Sequence, residues 1–320
     1  MQDKLPQVLR ERLSRILCSD PLLADIFPLT GKLERAKFSR GRLLCKMASD
    51  NGAELETAIE AALGLELVHL ATLIHDDVID DADLRRDSAS FRSVKGDRAA
   101  ILFGDYLFSA AIRQIQATQN SGCAKIFTER VFDTCRGESI QDLSLTWEDS
   151  RPSLKLLTEA ARGKTGALFS YCTEAPLWMI ESSEQQKLAA RECGFLCGLA
   201  FQWADDLLDI AGSTTDLGKP AGNDLLKNTM TTPLFLLMQD KKLSWNAFRN
   251  AYSQQTHQLV KDFFDGPAHS QLLTMIDQVH CQLNHLGATL ENSGIVIQGT
   301  LDLFWNKYVQ ARMDSRVDAR

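Results

Sequence analysis

The chain has 320 residues, enough for one large domain or two small ones, and its 44% apolar and 24% charged residues are an ordinary globular balance. A formal net charge of −7 excludes a nucleic-acid binder that works through a basic surface. It does not exclude an anionic substrate, because bound metal ions invert the sign of an acidic site. The eight cysteines form no CxxC pair, which argues against a disulfide framework or a zinc site and for a reducing, cytoplasmic setting. Residues 1–6 lack a charged-then-apolar leader, and no uninterrupted apolar run reaches bilayer-spanning length, so no transmembrane segment is expected.

Helical periodicity dominates the chain. Leu55, Ile59, Leu63, Leu67, Leu70 and Ile74 advance in steps of three or four, an apolar stripe along one long helix. Similar stretches follow over 99–118, 124–145, 153–162, 166–180 and 185–210. Weaker ones cover 233–238, 245–264, 271–290 and 301–312. Breaks are expected at Pro21, Pro28, 83–95, 149–152, 212–223 and 266–267, and no alternating, turn-punctuated series reads as a sheet. The expectation is an all-α, single-domain multi-helix bundle over 1–320, with facing helices able to build a metal site.

Two of the apolar runs end in the same acidic pattern, DDxxD: Asp76-Asp77-Val78-Ile79-Asp80 and Asp205-Asp206-Leu207-Leu208-Asp209. On a helix, positions i and i+4 share a face, so Asp76 and Asp80 project together, as do Asp205 and Asp209. Like charges at that spacing repel, and a cation compensates them best. Mg²⁺ takes few carboxylates and completes its octahedron with water and substrate phosphate oxygens. A solvated acidic helix end with a basic loop would explain one such motif, but not two on apolar helices. His69, Thr72, Asp76 and Asp80 lie on one stripe, and Arg85 and Arg86 follow where the helix should end, able to meet phosphate. Lys164 and Lys219 are the further cations suited to a leaving diphosphate, although a lone lysine is more often mere surface. Gln202, one turn before Asp206, can face the same cavity or simply bond to backbone.

The ordered set of motifs from about Lys37 to Pro233 resembles the all-trans polyprenyl diphosphate synthases, the farnesyl, geranylgeranyl and octaprenyl synthases among them. Lys37-Phe38-Ser39-Arg40-Gly41 is similar to the family's GKxxR segment, with Ala36 in place of the usual glycine, and His69 matches its His/Gln position. Gly104-Asp105 resembles a GD(Y/F) helix start, Gly137-Glu138-Ser139-Ile140-Gln141 a GExxQ segment, and Lys164-Thr165 the KT pair. Phe201 to Asp209 reads as FQxxDDxxD, and Gly218-Lys219-Pro220 as the GKP that follows it. Further positions depart: Asp87 replaces a glycine, and Asn228-Thr229 stands where Gly-Lys is common, with Lys227 a neighbouring substitute.

The resemblance implies an isoprenoid synthase bundle with a central active-site cavity. It implies head-to-tail condensation of isopentenyl diphosphate with an allylic diphosphate, and a homodimer. By the same resemblance, Lys37, Arg40, His69 and Arg86 serve isopentenyl diphosphate, while Arg85, Lys164, Thr165, Gln202 and Lys219 serve the allylic diphosphate. Asp76, Asp77, Asp80, Asp205, Asp206 and Asp209 hold Mg²⁺, three ions in all. A growing tail runs down the helix below Asp76, past Ala71 and Thr72 one turn away and Val68 beyond, about 5.4 Å per turn. In the family a bulky aromatic at Ala71 or Thr72 stops growth early, so these small residues imply geranylgeranyl or longer products, heptaprenyl to octaprenyl favoured. Alternatively, Ala71 and Thr72 merely pack against a neighbouring helix, and Phe108 or Phe132 closes the path. A terpene cyclase or squalene-type synthase, or a non-catalytic subunit of a heteromeric synthase, remains as another function. Arg312, Arg316 and Arg320 could help close the site.

Overall fold

The computed structural model describes residues 4–19, 36–85, 88–144, 152–211 and 222–314, with Arg85 described through its backbone. Arg86, Asp87, Gly218-Lys219-Pro220, Arg316 and Arg320 lie outside the described residues. The chain divides into two compact units, 1–131 with 171–188, and 132–170 with 189–320.

In the first unit, α1 (Leu5–Leu17) and α2 (Ser39–Asp50) pack on α3 (Leu55–Ile79). A two-residue antiparallel ladder of β1 (Leu84–Arg85) and β2 (Ser88–Ala89), then α4 (Phe91–Lys95), leads to α5 (Asp97–Gln116). The long α3 is the unit's centre: Ile59, Leu63, Leu65, Leu67, Val68 and Ala71 are buried, each large apolar side chain contributing about 1.5–3 kcal/mol. By length and composition alone α3 could cross a membrane, but Glu60 and Glu66 interrupt it and 67% of its most apolar window is buried inside the protein. It is a core helix. Gly104 of α5 makes room for α3, since a Cβ there would fall 2.0 Å from Nε2 of His75.

The chain passes between the units along α6 (Ser121–Ser139), α8 (Ala167–Trp178) and α9 (Glu184–Ala211). The second unit adds a π turn at Ile140–Ser144, α7 (Leu154–Ala161) and a π turn at Arg162–Gly166. It continues with α10 (Asn223–Leu226), α11 (Thr232–Asp240), α12 (Trp245–Tyr252), α13 (Thr256–Asp265) and α14 (Pro267–Asn292), then α15 (Gln298–Phe304), a π turn at Trp305–Gln310 and α16 (Ala311–Asp314). Phe169, Phe201, Phe304 and Tyr308 form an aromatic cluster with centroid separations of 5.0–6.4 Å. Glycines let the backbones close up beneath it: a Cβ on Gly198 would lie 2.3 Å from the Gly166 Cα.

The all-α expectation is met, with the small ladder inside the expected 83–95 break as the one sheet element among the described residues. The single stretch read over 245–264 is two helices, α12 and α13, because both carry their own apolar stripe. Gly266 and Pro267 begin α14, proline fitting the first turn where no N–H is needed.

Candidate active site

In the first unit, the site is built from the end of α3 and the start of α2. Asp76, Asp77 and Asp80 close α3, with Asp80 as its C-cap, its amide donating to the Asp76 carbonyl at 2.8 Å. No basic residue occupies the last turn of α3. Carboxylates at a helix C-terminus meet the negative end of the helix dipole, so this cluster favours a bound cation. Asp77 is buried, Asp76 half-buried and Asp80 exposed. One turn and more below, Val68 and Ala71 are fully buried, while Thr72 is half-buried with its hydroxyl donating to the His69 carbonyl at 2.9 Å. The half-buried Phe108 of α5 lies beside His75, ring centroids 5.8 Å apart, whereas Phe132 is 68% exposed.

Arg40 Nη1 donates to His69 Nε2 at 2.9 Å, so His69 accepts as a neutral ring with its proton on Nδ1. The two residues expected at one anion site are thus in contact. Lys37 is exposed just ahead of them. Between them Phe38 adopts φ 48°, ψ 42°, the left-handed region that costs a bulky L-residue about 1–2 kcal/mol; burial of its ring to 3% exposure holds it there.

In the second unit, three segments converge through glycine. Gly137 of α6 and Gly163 of the π turn touch backbone to backbone, which sets Lys164 against Glu138 at 2.5 Å. Thr165 Oγ1 donates to Gln202 Oε1 at 2.5 Å, and Gln202 Nε2 donates to Asp206 Oδ1 at 2.7 Å. Thr165 and Gln202 therefore join Asp206 in one hydrogen-bonded chain. A π turn at this point fits its frequent occurrence at functional sites. Burial, with the charges of Asp205 and Asp209 behind it, pushes the Asp206 carboxyl up to about 7, against the lowering effect of Gln202 and Lys164. Arg312 of α16 donates to Asp205, and its guanidinium lies over the Phe201 ring at 4.2 Å.

Some residues of this site were not expected from the sequence. Asp224 is one: its amide donates to Asp209 Oδ2 at 3.0 Å, and burial with Asp209 and Asp206 holds its carboxyl well above the usual range. Glu138 enters only as part of GExxQ, and Glu66, one of several acids along α3, carries no signal of its own in the sequence. One reading is corrected. Gly104-Asp105 does not start a helix but lies inside α5, where the missing Cβ admits the His75 ring toward the Ile101 carbonyl at 3.1 Å. Asn228 takes φ 60°, so it holds the left-handed position that suits glycine, the residue it replaces. Lys227 is exposed beside it and lowers the Asp224 carboxyl electrostatically.

Among the described residues, no three His, Cys, Asp or Glu side chains are gathered closely enough to hold a metal by themselves. Each cluster by itself nevertheless offers the donors that suit a hard divalent cation: carboxylate oxygens on a helix with no basic residue in its last turn and, in the second, an Asp206 carboxyl raised chiefly by burial. Arg312 offsets part of the charge of the second cluster through Asp205, and Lys164 acts on Asp206 in the same sense.

A profile of the polyprenyl synthetase family matches residues 23–265. Heptaprenyl diphosphate synthase component 2 of Geobacillus stearothermophilus is 33% identical over 192 residues, 59% of this chain and 59% of that relative, so the aligned stretch spans about three fifths of its length. The fold is that of heptaprenyl diphosphate synthase from Staphylococcus aureus, with a TM-score of 0.81 at 21% identity over 96% of this chain and 99% of that one. A polyprenyl synthase from Caulobacter crescentus CB15, complexed with calcium and isoprenyl diphosphate, superposes with a TM-score of 0.77 at 22% identity over 100% and 98%.

Proposed function

The chain belongs to the polyprenyl synthetase family, a family of prenyltransferases, and from that membership we propose that it condenses isopentenyl diphosphate with an allylic diphosphate head to tail, giving an all-trans polyprenyl diphosphate. In this reading 1–320 acts as one synthase domain in a cytoplasmic setting, which eight free cysteines support. The observation that carries the reading is the hydrogen-bonded chain Thr165–Gln202–Asp206, with Lys164 held by Glu138 beside it.

Lys164, Thr165, Gln202, Lys219 and Arg85 bind the allylic diphosphate, and Lys37, Arg40, His69 and Arg86 bind isopentenyl diphosphate. Asp76, Asp77, Asp80, Asp205, Asp206 and Asp209 hold the Mg²⁺ ions, three of them; the calcium and isoprenyl diphosphate carried by the Caulobacter protein support this assignment. Bound Mg²⁺ would neutralise charge on the departing diphosphate. Lys164 and its neighbours steady the same oxygens as the allylic C–O bond breaks and the electron pair leaves with diphosphate. The isopentenyl double bond then forms the new C–C bond, and the departing diphosphate takes the released proton. Water has to be kept from the site, because it would quench the cation. The small, buried Ala71 and the Val68 below it support a product of geranylgeranyl length or longer, with heptaprenyl to octaprenyl favoured. A homodimer belongs to the same reading, supported by the exposed Ile101, Leu102 and Ile112 of α5.

A second reading, a subunit that works only with a different chain, has the words "component 2" of the Geobacillus relative in its favour. Both aspartate motifs are intact, which argues for a catalytic chain, and the Lys37, Arg40 and His69 set argues against a terpene cyclase or squalene-type synthase. Diphosphate release from isopentenyl and farnesyl diphosphates by the purified chain alone, with Mg²⁺ and with excess chelator, tests all of these. Release that requires isopentenyl diphosphate and stops with chelator is the expected result. Release from farnesyl diphosphate alone would point to a cyclase or head-to-head synthase, and no release to a subunit.

A further inference from the structure

We propose that Glu66 is a positioning residue for isopentenyl diphosphate: its buried carboxyl group clamps the first turn of α2 and thereby fixes where Arg40 meets His69. The proposal rests on the assignment of Arg40 and His69 to that substrate.

The start of α2 has a deficit that its own residues do not fill. Its N-cap is Phe38, whose side chain makes no capping hydrogen bond, so the N–H groups of the first turn need acceptors from elsewhere. Glu66, 8% exposed on α3, supplies them: Gly41 N donates to Glu66 Oε1 at 2.7 Å, and the Arg40 backbone N–H donates to the same carboxyl group. Burial pushes the Glu66 carboxyl above its usual range, against the lowering effect of these two N–H donors and of the Arg40 charge. The fit is close on the other side as well. A Cβ on Gly41 would stand 3.2 Å from Glu66 Oε1 and 3.1 Å from the Leu9 side chain.

Glu66 and His69 are three residues apart on α3 and so share a face. One face of one rigid helix therefore holds α2 twice, its backbone through Glu66 and its Arg40 side chain through His69 at 2.9 Å. Lys37 and Arg40 flank the left-handed Phe38, whose turn has no glycine to relax it. Without the clamp, the two cations lose their fixed separation while the rest of α3 stays packed. Glu66 touches neither substrate in this account; it acts through Arg40 and the α2 backbone.

The test is Glu66→Gln in the full chain, which keeps the shape but removes one of the two acceptor oxygens of the side chain. The apparent KM for isopentenyl diphosphate should rise at least fivefold, with the allylic KM and kcat within twofold. Amide hydrogen exchange over 38–44 should quicken while exchange across α5 is unchanged. A purely structural role would raise both KM values or lower kcat alone, and either result, or an unchanged enzyme, overturns the proposal. If Glu66→Gln does not fold, Gly41→Ala carries the test, since its methyl must displace Oε1 by a few tenths of an ångström and should give a weaker form of the same KM split. If the wild-type chain consumes no isopentenyl diphosphate, the functional reading fails by itself. The exchange measurement then still decides the clamp, with unchanged protection at 38–44 overturning it.

Discussion

Gly137 lies so close to Lys164 that a Cβ on the glycine would stand 2.2 Å from the Lys164 nitrogen and 2.5 Å from the Gly163 carbonyl carbon. Nothing at either place is a flexible side-chain end, so backbone would have to move. Gly137→Ala should therefore destabilise the protein by about 1–3 kcal/mol, the usual cost of overpacking, and displace Lys164 from Glu138. Thermal unfolding checks the first effect and the allylic KM the second. A Gly137→Ala protein with wild-type stability and kinetics would show that the contact does not position Lys164.

The raised Asp206 carboxyl gives the metal assignment a pH signature. A carboxyl whose folded pKa lies above its unfolded value of about 3.9 adds stability that is fully present below that value. This contribution is lost as pH rises through about 7, when the buried group ionises. A divalent cation removes that cost by taking the proton's place. Mg²⁺ with inorganic diphosphate should thus raise the melting temperature more at pH 8 than at pH 6, and the difference should shrink in Asp206→Asn. An equal shift at both pH values would contradict it.

How much of this was legible in the sequence depends on what kind of signal each feature leaves. The long helices announced themselves because α3 and α9 bury stripes set by the 3.6-residue period, and the two DDxxD motifs stood out as acids ending apolar runs. The start of α2 did not, since its cap is supplied by Glu66 from another helix and Phe38 gives no capping signal. Asp224 was missed for a similar reason: its role comes from a contact with Asp209 made fifteen residues away along the chain. The split between α12 and α13 was hidden because no glycine or proline marks the turn between them. Asn228 stands where glycine is common, and the sequence does not show that its backbone takes the left-handed conformation that glycine would.

The division into two diphosphate sites predicts separable kinetic effects. Loss of one charge-assisted contact costs about 1.5–3 kcal/mol, or roughly ten- to more than a hundredfold. Lys37→Ala should chiefly raise the KM for isopentenyl diphosphate, and Lys164→Ala should chiefly damage allylic binding or turnover. Steady-state kinetics with each substrate varied in turn reads both; a Lys37→Ala enzyme impaired only toward the allylic substrate would reverse the assignment.

The proposed product length rests on the small side chains below Asp76. Ala71 is fully buried and Thr72 half-buried, so an aromatic ring at position 71 has to displace its neighbours and, in the proposed reading, block the course of the growing tail. Ala71→Phe should shorten the product to farnesyl length while sparing the first condensation, as chromatography of the products would reveal. Unshortened product would mean that the tail takes another course, with Ala71 serving only to pack.

The central claim is chain elongation by this protein on its own, held to Mg²⁺ by both aspartate motifs. The most direct measurement is a chromatogram of the products formed from labelled isopentenyl diphosphate and an allylic primer, for the wild type, Asp76→Ala and Asp205→Ala. The account predicts labelled all-trans polyprenyl diphosphates of geranylgeranyl length or longer from the wild type. Both variants should remain folded and lose several orders of magnitude in turnover, since each substitution relieves like-charge repulsion while removing a metal ligand. Elongation at near wild-type rates in either variant, or a wild-type protein that stops at farnesyl diphosphate with isopentenyl diphosphate in excess, would contradict it.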